Sequence, residues 1–213
     1  PNLYTYKWDR LFSYESLPLE KATRGRVGIP RVLNMFENYP FWHTFFTKLG
    51  YRVELSPTSS RELYEKGLSS ITSETACYPA KLVHGHIEHL IEDGHKFIFY
   101  PSIFYERKEF DNANNHLNCP VVAGYPEVIK NNVDALAENG VDFRNPFLSL
   151  QDLGRLKKRL WEELRDLGIE KKHLYNAADA AWKELETFRY DVKQEGQRAI
   201  QWCRDNGKKA IVL

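Results

Sequence analysis

The run Ala80-Lys81-Leu82-Val83-His84-Gly85-His86-Ile87-Glu88-His89-Leu90-Ile91-Glu92-Asp93-Gly94-His95-Lys96-Phe97-Ile98-Phe99-Tyr100-Pro101 decides the fold. Ala80, Val83, Ile87, Leu90 and Ile91 recur at helical spacing and make one apolar stripe. Gly94 ends that helix, and Lys96–Tyr100 follows as a short apolar strand stopped by Pro101. A capped helix that feeds directly into a buried strand is the repeating unit of an α/β layer. Repeated along a chain, it demands right-handed crossovers and a parallel sheet.

The same grammar extends in both directions. Upstream, Arg31–Met35 reads as a first strand and Asn38–Leu49 as a helix stopped by Gly50. Tyr51–Leu55 reads as a second strand. Ser59 or Ser60 caps a helix over Arg61–Lys66, and Gly67 ends it. Downstream, Val121–Gly124 reads as a short fourth strand, with Pro126 opening a helix through about Leu136. Phe147–Leu150 adds a fifth strand. Beyond residue 150 the pattern turns helical and charged, with Leu153–Leu167 closed by Gly168 and Ala177–Asn206 closed by Gly207. The expected fold is α/β, a parallel sheet of four to five strands with flanking helices, plus a helical C-terminal part. The expected divisions are an aromatic, irregular N-terminal arm (1–26), an α/β domain (27–150) and a helical part (151–213). The last part ends in the start of a further strand at Ala210–Leu213. Pro1 at one end and an apolar tetrapeptide at the other fit a segment excised from a longer protein.

Composition narrows the function classes. Lys plus Arg (30) nearly balances Asp plus Glu (29), so the net charge of +1 gives no electrostatic case for nucleic acid or a membrane surface. Five Trp, twelve Tyr and twelve Phe suffice for a sizeable core. No apolar run approaches the ~20 residues that span a bilayer, and the first residues carry no signal peptide. Three cysteines are too few for a disulfide scaffold, so a reducing cytoplasm is expected. Lys157-Lys158-Arg159 alternates with Leu156, Leu160 and Trp161 and reads as a solvated helix face.

Local signatures of nucleotide or acyl chemistry are absent. There is no G-x-G-x-x-G, no P-loop and no G-x-S-x-G elbow, hence no ATP site in this segment. His84, His86 and His89 do not make H-E-x-x-H. His84 and His86 sit about 200° apart on a helix, so they cannot share a metal, and the three read as a polar helix face. Gly85 there costs about 1 kcal/mol relative to Ala, either tolerated or exploited by a close neighbour. Cys203 shares the stripe of Leu185, Phe188, Val192 and Ala199 and reads as a buried hydrophobe. Cys77 precedes Pro79 at a helix start, where the helix dipole favours a thiolate. Cys119 ends the polar loop 106–118, and that loop, at the end of a parallel strand, is where such sheets place function. Cys77 and Cys119 are therefore candidates for a metal or cluster site, with two unrelated thiols as the alternative.

Several stretches resemble one family. They are Gly28-Ile29-Pro30-Arg31-Val32-Leu33-Asn34-Met35 with Glu37-Asn38-Tyr39-Pro40-Phe41-Trp42, then Cys77-Tyr78-Pro79-Ala80-Lys81-Leu82-Val83-His84-Gly85-His86. Asn118-Cys119-Pro120-Val121-Val122 and Tyr125-Pro126-Glu127-Val128-Ile129-Lys130 complete the set. Together they resemble the large CoA-substrate-specific enzyme activases related to the activator of 2-hydroxyglutaryl-CoA dehydratase. The likeness is to their domain of unknown function, itself similar to 2-hydroxyacyl-CoA dehydratase subunits.

The resemblance implies low-potential electron transfer through an iron–sulfur cluster, toward a CoA-ester dehydratase or reductase. The partners it implies are that enzyme and other domains of the same longer protein. In the dehydratase-like relatives three cysteines hold the cluster. By motif position the first is Cys77 and the third Cys119, while the middle position is Ser102 here. A serine oxygen is a harder, poorer ligand than a thiolate. The expectation is that the chain prepared in air carries no intact cluster, although Cys77, Ser102 and Cys119 would still lie close. A cubane needs its ligand atoms about 6–7 Å apart. On the strand assignment for Val121–Gly124, Cys119 falls at the opposite sheet edge from Cys77 unless the preceding loop carries it across. Two alternatives follow: half of a dehydratase or reductase site using Glu106 and His116, or a docking domain that has lost its cluster.

Overall fold

The computed structural model describes residues 1–211. In chain order the elements are α1 (Leu3–Phe12), β1 (Arg26–Ile29), α2 (Met35–Lys48), β2 (Arg52–Leu55), α3 (Arg61–Lys66), α4 (Tyr78–Glu92) and β3 (Phe97–Phe99). There follow β4 (Ser102–Tyr105), α5 (Pro120–Asn132), α6 (Ala135–Glu138), β5 (Asp142–Arg144), β6 (Phe147–Ser149), α7 (Leu153–Leu164) and α8 (Lys171–Asp205).

β2, β1, β3 and β5 form a parallel sheet in that order. β4 and β6 form a second parallel pair. The two sheets are one strand pair interrupted. Tyr100 N–H donates to the Arg144 carbonyl at 2.9 Å and Ser102 N–H to the Pro146 carbonyl at 3.0 Å. Between them Pro101 and Pro146 offer no N–H, so the regular ladder breaks there and resumes beyond.

β2 lies to one side of β1 and β3 to the other, so the crossover helices leave by opposite faces. Phe46 meets Phe97 and Phe99 on the α2 face, with ring centroids 5.8 and 4.9 Å apart. Gly28 faces the other side, where its missing side chain makes room for Leu90 of α4. The order change between β1 and β3 creates a crevice at the carboxyl ends of these strands, where open α/β sheets bind ligands.

The parallel α/β reading holds, and the glycine stops hold with it. Gly50, Gly94, Gly168 and Gly207 all take positive φ (91°, 80°, 67° and 59°), which a Cβ would strain. Ser60 caps α3 by accepting from Leu63 N–H at 3.2 Å.

Four local expectations fail. The first strand is Arg26–Ile29, not Arg31–Met35. Pro30 ends its ladder, and Leu33 at φ 42° turns the chain over the sheet edge into α2. Val121–Gly124 is the first turn of α5, not a strand. Cys119-Pro120 is a helix start, and Ala123, Pro126 and Ile129 bury at helical spacing. The fourth central strand is Asp142–Arg144, too short and too charged to show in the sequence. Residues 3–12 of the arm are helical, capped by Asn2, which accepts from Thr5 N–H at 3.1 Å. Trp8 and Phe12 of that helix pack on Phe36.

The long helix begins earlier than expected, at Lys171, and its buried residues end at Phe188. Cys203 is only half-buried, because the helix outruns the body it packs on. The expected strand start falls partly outside the described residues; Ala210 and Ile211 are exposed and in no regular element. No described helix is long and apolar enough to cross a membrane.

Candidate metal centre and its surroundings

α4 runs directly into β3, and α5 through α6 into β5, so both helices run against the strands. Their N-termini therefore lie at the carboxyl edge of the sheet. Cys77 is the N-cap of α4 and Cys119 the N-cap of α5, each with a proline in the first turn, and both are exposed. The edge conflict raised by a strand at Val121–Gly124 disappears, because that segment is helical. The loop before Cys119 is pinned in place. Glu106 N–H donates to the His116 carbonyl at 2.8 Å, and Asn118 N–H to the Phe104 carbonyl at 2.9 Å.

α4 and α5 are joined by His84 Nε2 and the Tyr125 hydroxyl at 3.1 Å. From that level Cys77 is about 10 Å further along α4 and Cys119 about 9 Å along α5, at 1.5 Å per residue. Tyr100 neighbours Tyr125, and Ser102 is about 7 Å beyond Tyr100 along its strand. Cys77 and Cys119 thus both stand at the carboxyl edge, and neither is bonded to Ser102. Burial pushes the Tyr125 hydroxyl up, and the nearby Cys77 side chain adds to the effect. Ser102 is fully buried and its Oγ has no hydrogen-bond partner; the Tyr100 hydroxyl is orphaned likewise. Such orphans cost about 1–3 kcal/mol each, so natural interiors seldom keep them without a ligand, an ion or water.

The crevice floor carries residues that the sequence did not single out for chemistry. Asn34 and Asn38 are buried at the start of α2, each with an orphaned Oδ1. Asn38 Nδ2 and Asn118 Nδ2 donate to Glu106 Oε1 at 2.9 and 2.8 Å. Burial raises the Glu106 carboxyl, and the amide donors from Asn118 and Asn38 act against it. Glu106 and His116 line one cleft of about 300 Å³ with Arg107, Phe110 and Arg189. Neither Cys77 nor Cys119 lines that cleft. His116 Nε2 is buried without a partner. A cue existed: asparagines at the entry of the first crossover helix stand where α/β sheets bind ligands.

The expected polar histidine face is not one. His84 and His86 are both fully buried. Gly85 explains this, because a Cβ there would lie 1.7 Å from the Leu63 carbonyl oxygen. α3 crosses α4 at backbone contact, and its flanks close over both neighbours of the glycine. His84 Nδ1 then meets Ser70 Oγ at 2.8 Å, and His86 meets Ser56 and Ser59 at 2.7 and 2.9 Å. Burial lowers both histidines to about 4, so they are neutral near pH 7.

At the opposite, amino edge Glu54, Asp93 and His95 bring ligand-type atoms within 4.8 Å of one another. The sequence spacing gave no sign of this group. Arginines already occupy it. Glu54 accepts from Arg52 Nε at 2.6 Å and Arg26 Nε at 2.5 Å, and Arg26 also pairs with Asp93 at 2.5 Å. With both carboxylates held by guanidinium groups, the group is an ion-pair network that ties β1 and β2 to the end of α4. The solvated-face reading of 157–159 stands: Lys157 pairs with Asp179 at 2.8 Å, and Arg159 with Glu163 at 2.5 Å.

Cys203→Ala is expected to leave iron content unchanged in any reconstituted sample, because α8 meets the 106–118 loop through Trp182, Glu186 and Arg189, and Cys203 lies about 20 Å further along the helix at 1.5 Å per residue. Iron analysis of the two proteins side by side checks this; a deficit in the variant would add Cys203 to the ligand set.

No curated protein and no solved structure matches the chain. A family profile described as "CoA enzyme activase uncharacterised domain" matches residues 26–213. That span contains the whole parallel sheet, both exposed cysteines, Ser102 and the buried histidine pair. The chain belongs to this CoA enzyme activase domain family.

Proposed function

We propose that this domain is an iron–sulfur-type module of an activase-like protein, passing low-potential electrons toward a CoA-ester dehydratase or reductase. The observation that supports the reading is the like position of Cys77 and Cys119. Both are exposed N-caps of two neighbouring helices at one sheet edge, with the orphaned Ser102 Oγ buried behind that edge. The donor chemistry fits a cluster with an incomplete ligand set. Two exposed thiols stand at helix starts, and the third donor, the Ser102 oxygen, lacks any other partner. A bound cluster would supply one-electron transfer. The chain's own residues would hold it at the edge, exclude water beneath it through buried Tyr100 and Ser102, and steady the two helices through His84 and Tyr125. The reading requires the three ligand atoms to approach to about 6–7 Å. In the cell, other domains of the same longer protein and a cytoplasmic CoA-ester enzyme would be the electron partners.

A docking domain without a cluster is the second reading. Tyr78, Phe104 and Phe147 are exposed at this edge, with Phe104 and Phe147 stacked at 5.7 Å.

Ser102→Cys with anaerobic iron–sulfide reconstitution separates the two. The substitution is nearly isosteric and removes an unsatisfied hydroxyl, so folding should survive. We expect the variant to take up several-fold more iron than wild type and to show a visible charge-transfer band. Cys77→Ser in the Ser102→Cys background should abolish both. If both proteins stay colourless while Cys77 and Cys119 react freely with a thiol reagent, the docking reading replaces the cluster reading.

A further inference from the structure

We infer that Arg31, Thr58 and Ser59 form an oxyanion site for a phosphate group, at the carboxyl ends of β1 and β2. This goes beyond the cluster reading and does not depend on it.

Arg31 leaves the end of β1 and lies half-buried across the ring of Phe12, with its guanidinium carbon 4.6 Å from the centroid. No carboxylate pairs with it among the described residues. Its Nε is buried without a partner, and Nη1 reaches only the Thr58 hydroxyl, at a long 3.4 Å. Other half-buried arginines have their donors filled: Arg10, Arg26, Arg52 and Arg144 each hold one or two carboxylates, and Arg24 donates to the Leu167 and Gly168 carbonyls. A guanidinium with unfilled donors, partly withdrawn from water, lacks its counter-ion.

The hydroxyls beside it are turned outward by a relay that starts in the core. Ser56 is fully buried, and its Oγ accepts from Arg31 N–H at 2.8 Å. The Ser56 hydroxyl proton then needs an acceptor, and the one within reach is His86 Nδ1 at 2.7 Å. His86 is neutral, so its single proton is on Nε2 and is donated to Ser59 Oγ at 2.9 Å. Ser59 accepts inward, and its own O–H is left to point into solvent, where the side chain is exposed. Thr58 is in the same condition, accepting from Arg31 and exposing its proton. The surface thus presents three sources of donors and no competing acid: the Arg31 Nη groups and the Thr58 and Ser59 hydroxyls.

The ligand class follows from the geometry. A planar carboxylate is satisfied by the guanidinium fork alone. Two hydroxyl donors added beside the fork suit a tetrahedral oxyanion with several acceptor oxygens. The position also agrees with where parallel sheets bind ligands, outside the carboxyl ends of their strands.

The test uses inorganic phosphate and pyrophosphate as probes, with acetate and chloride at equal ionic strength as controls. Titration is followed by phosphorus NMR and by calorimetry on the wild type, Arg31→Gln and Ser59→Ala. We expect saturable binding of phosphate and tighter binding of pyrophosphate. Affinity should fall at least tenfold in Arg31→Gln and several-fold in Ser59→Ala, while acetate binds no better than chloride. The nitrogen spectrum of His86 should show the Nε2–H form and should stay in that form on saturation. Unsaturable binding, equal affinity in Arg31→Gln, or an Nδ1–H form of His86 would each overturn the assignment. Ser59→Ala also takes the acceptor from His86 Nε2–H, whereas Thr58→Ala removes an exposed hydroxyl that meets only Arg31; it should lower affinity several-fold, and it answers the question even if Arg31→Gln folds poorly.

Discussion

Lowering the pH from 7 toward 4 is expected to unfold this domain cooperatively, with loss of stability beginning near pH 6.5. His43, His84 and His86 are buried in the folded chain, and burial is the leading cause that lowers each of them to about 4. In the unfolded chain they return to about 6.5. Between those values the unfolded state binds protons that the folded state refuses, so stability falls with pH through that window and is unaffected above it. A shift of this size is worth at most about 3 kcal/mol per histidine. Local relaxation and water entry reduce that, which leaves on the order of 5 kcal/mol for the three together. Domains of this kind have about 5–15 kcal/mol in total. Glu54, held below its ordinary range by Arg52 and Arg26 against the cost of its burial, adds a further loss at the acid end. Urea midpoints measured at pH 7.5, 6.0, 5.0 and 4.5 check the prediction. A midpoint that stays flat from pH 7 to 5 would show that these rings are not closed off from water.

Gly85→Ala is expected to destabilise the fold by roughly 3 kcal/mol or more, although alanine is the better helix former. The added methyl would sit 1.7 Å from the Leu63 carbonyl oxygen and 2.7 Å from its carbon, both backbone atoms. No rotamer change relieves that contact; α3 must move off α4. A Cβ at Gly67 would in turn lie 2.3 Å from Gly85 N, so the approach is tight from both sides. Moving α3 opens the Ser70–His84 and Ser59–His86 bonds, and the acid response should shift toward higher pH with it. Gly124→Ala is the matched control. It is also a helical glycine, but nothing lies within 4 Å of its Cβ position. It should stabilise by about 0.5–1 kcal/mol through the entropy of the unfolded chain. Equal effects of the two substitutions in thermal unfolding would remove the close-crossing explanation.

The sequence by itself determined the fold class and much of its punctuation. A stripe at 80, 83, 87, 90 and 91, a glycine stop and an apolar strand are local signals. They report backbone hydrogen bonding and the burial of one face, and both are settled within a few residues. The parallel sheet followed from repeating that unit, and the helix-start position of Cys77 was legible for the same reason. A four-residue apolar run was not. Val121–Gly124 has no period of its own, and Cys119-Pro120 outweighed it as a helix start. The tertiary structure alone decided the rest. Whether His84 and His86 face water depends on α3 arriving at Gly85, an approach set by the turn at Gly67 and not by the α4 sequence. Whether the stripe through Cys203 is covered depends on where the neighbouring body ends, which a periodic helix cannot report. Asn34, Asn38 and Arg31 became candidates only when strand order put the ends of β1, β2 and β3 side by side, whereas Ser102 was a candidate already by its motif position. Their significance is in partners they lack, and a missing partner shows only after every other side chain has found its place.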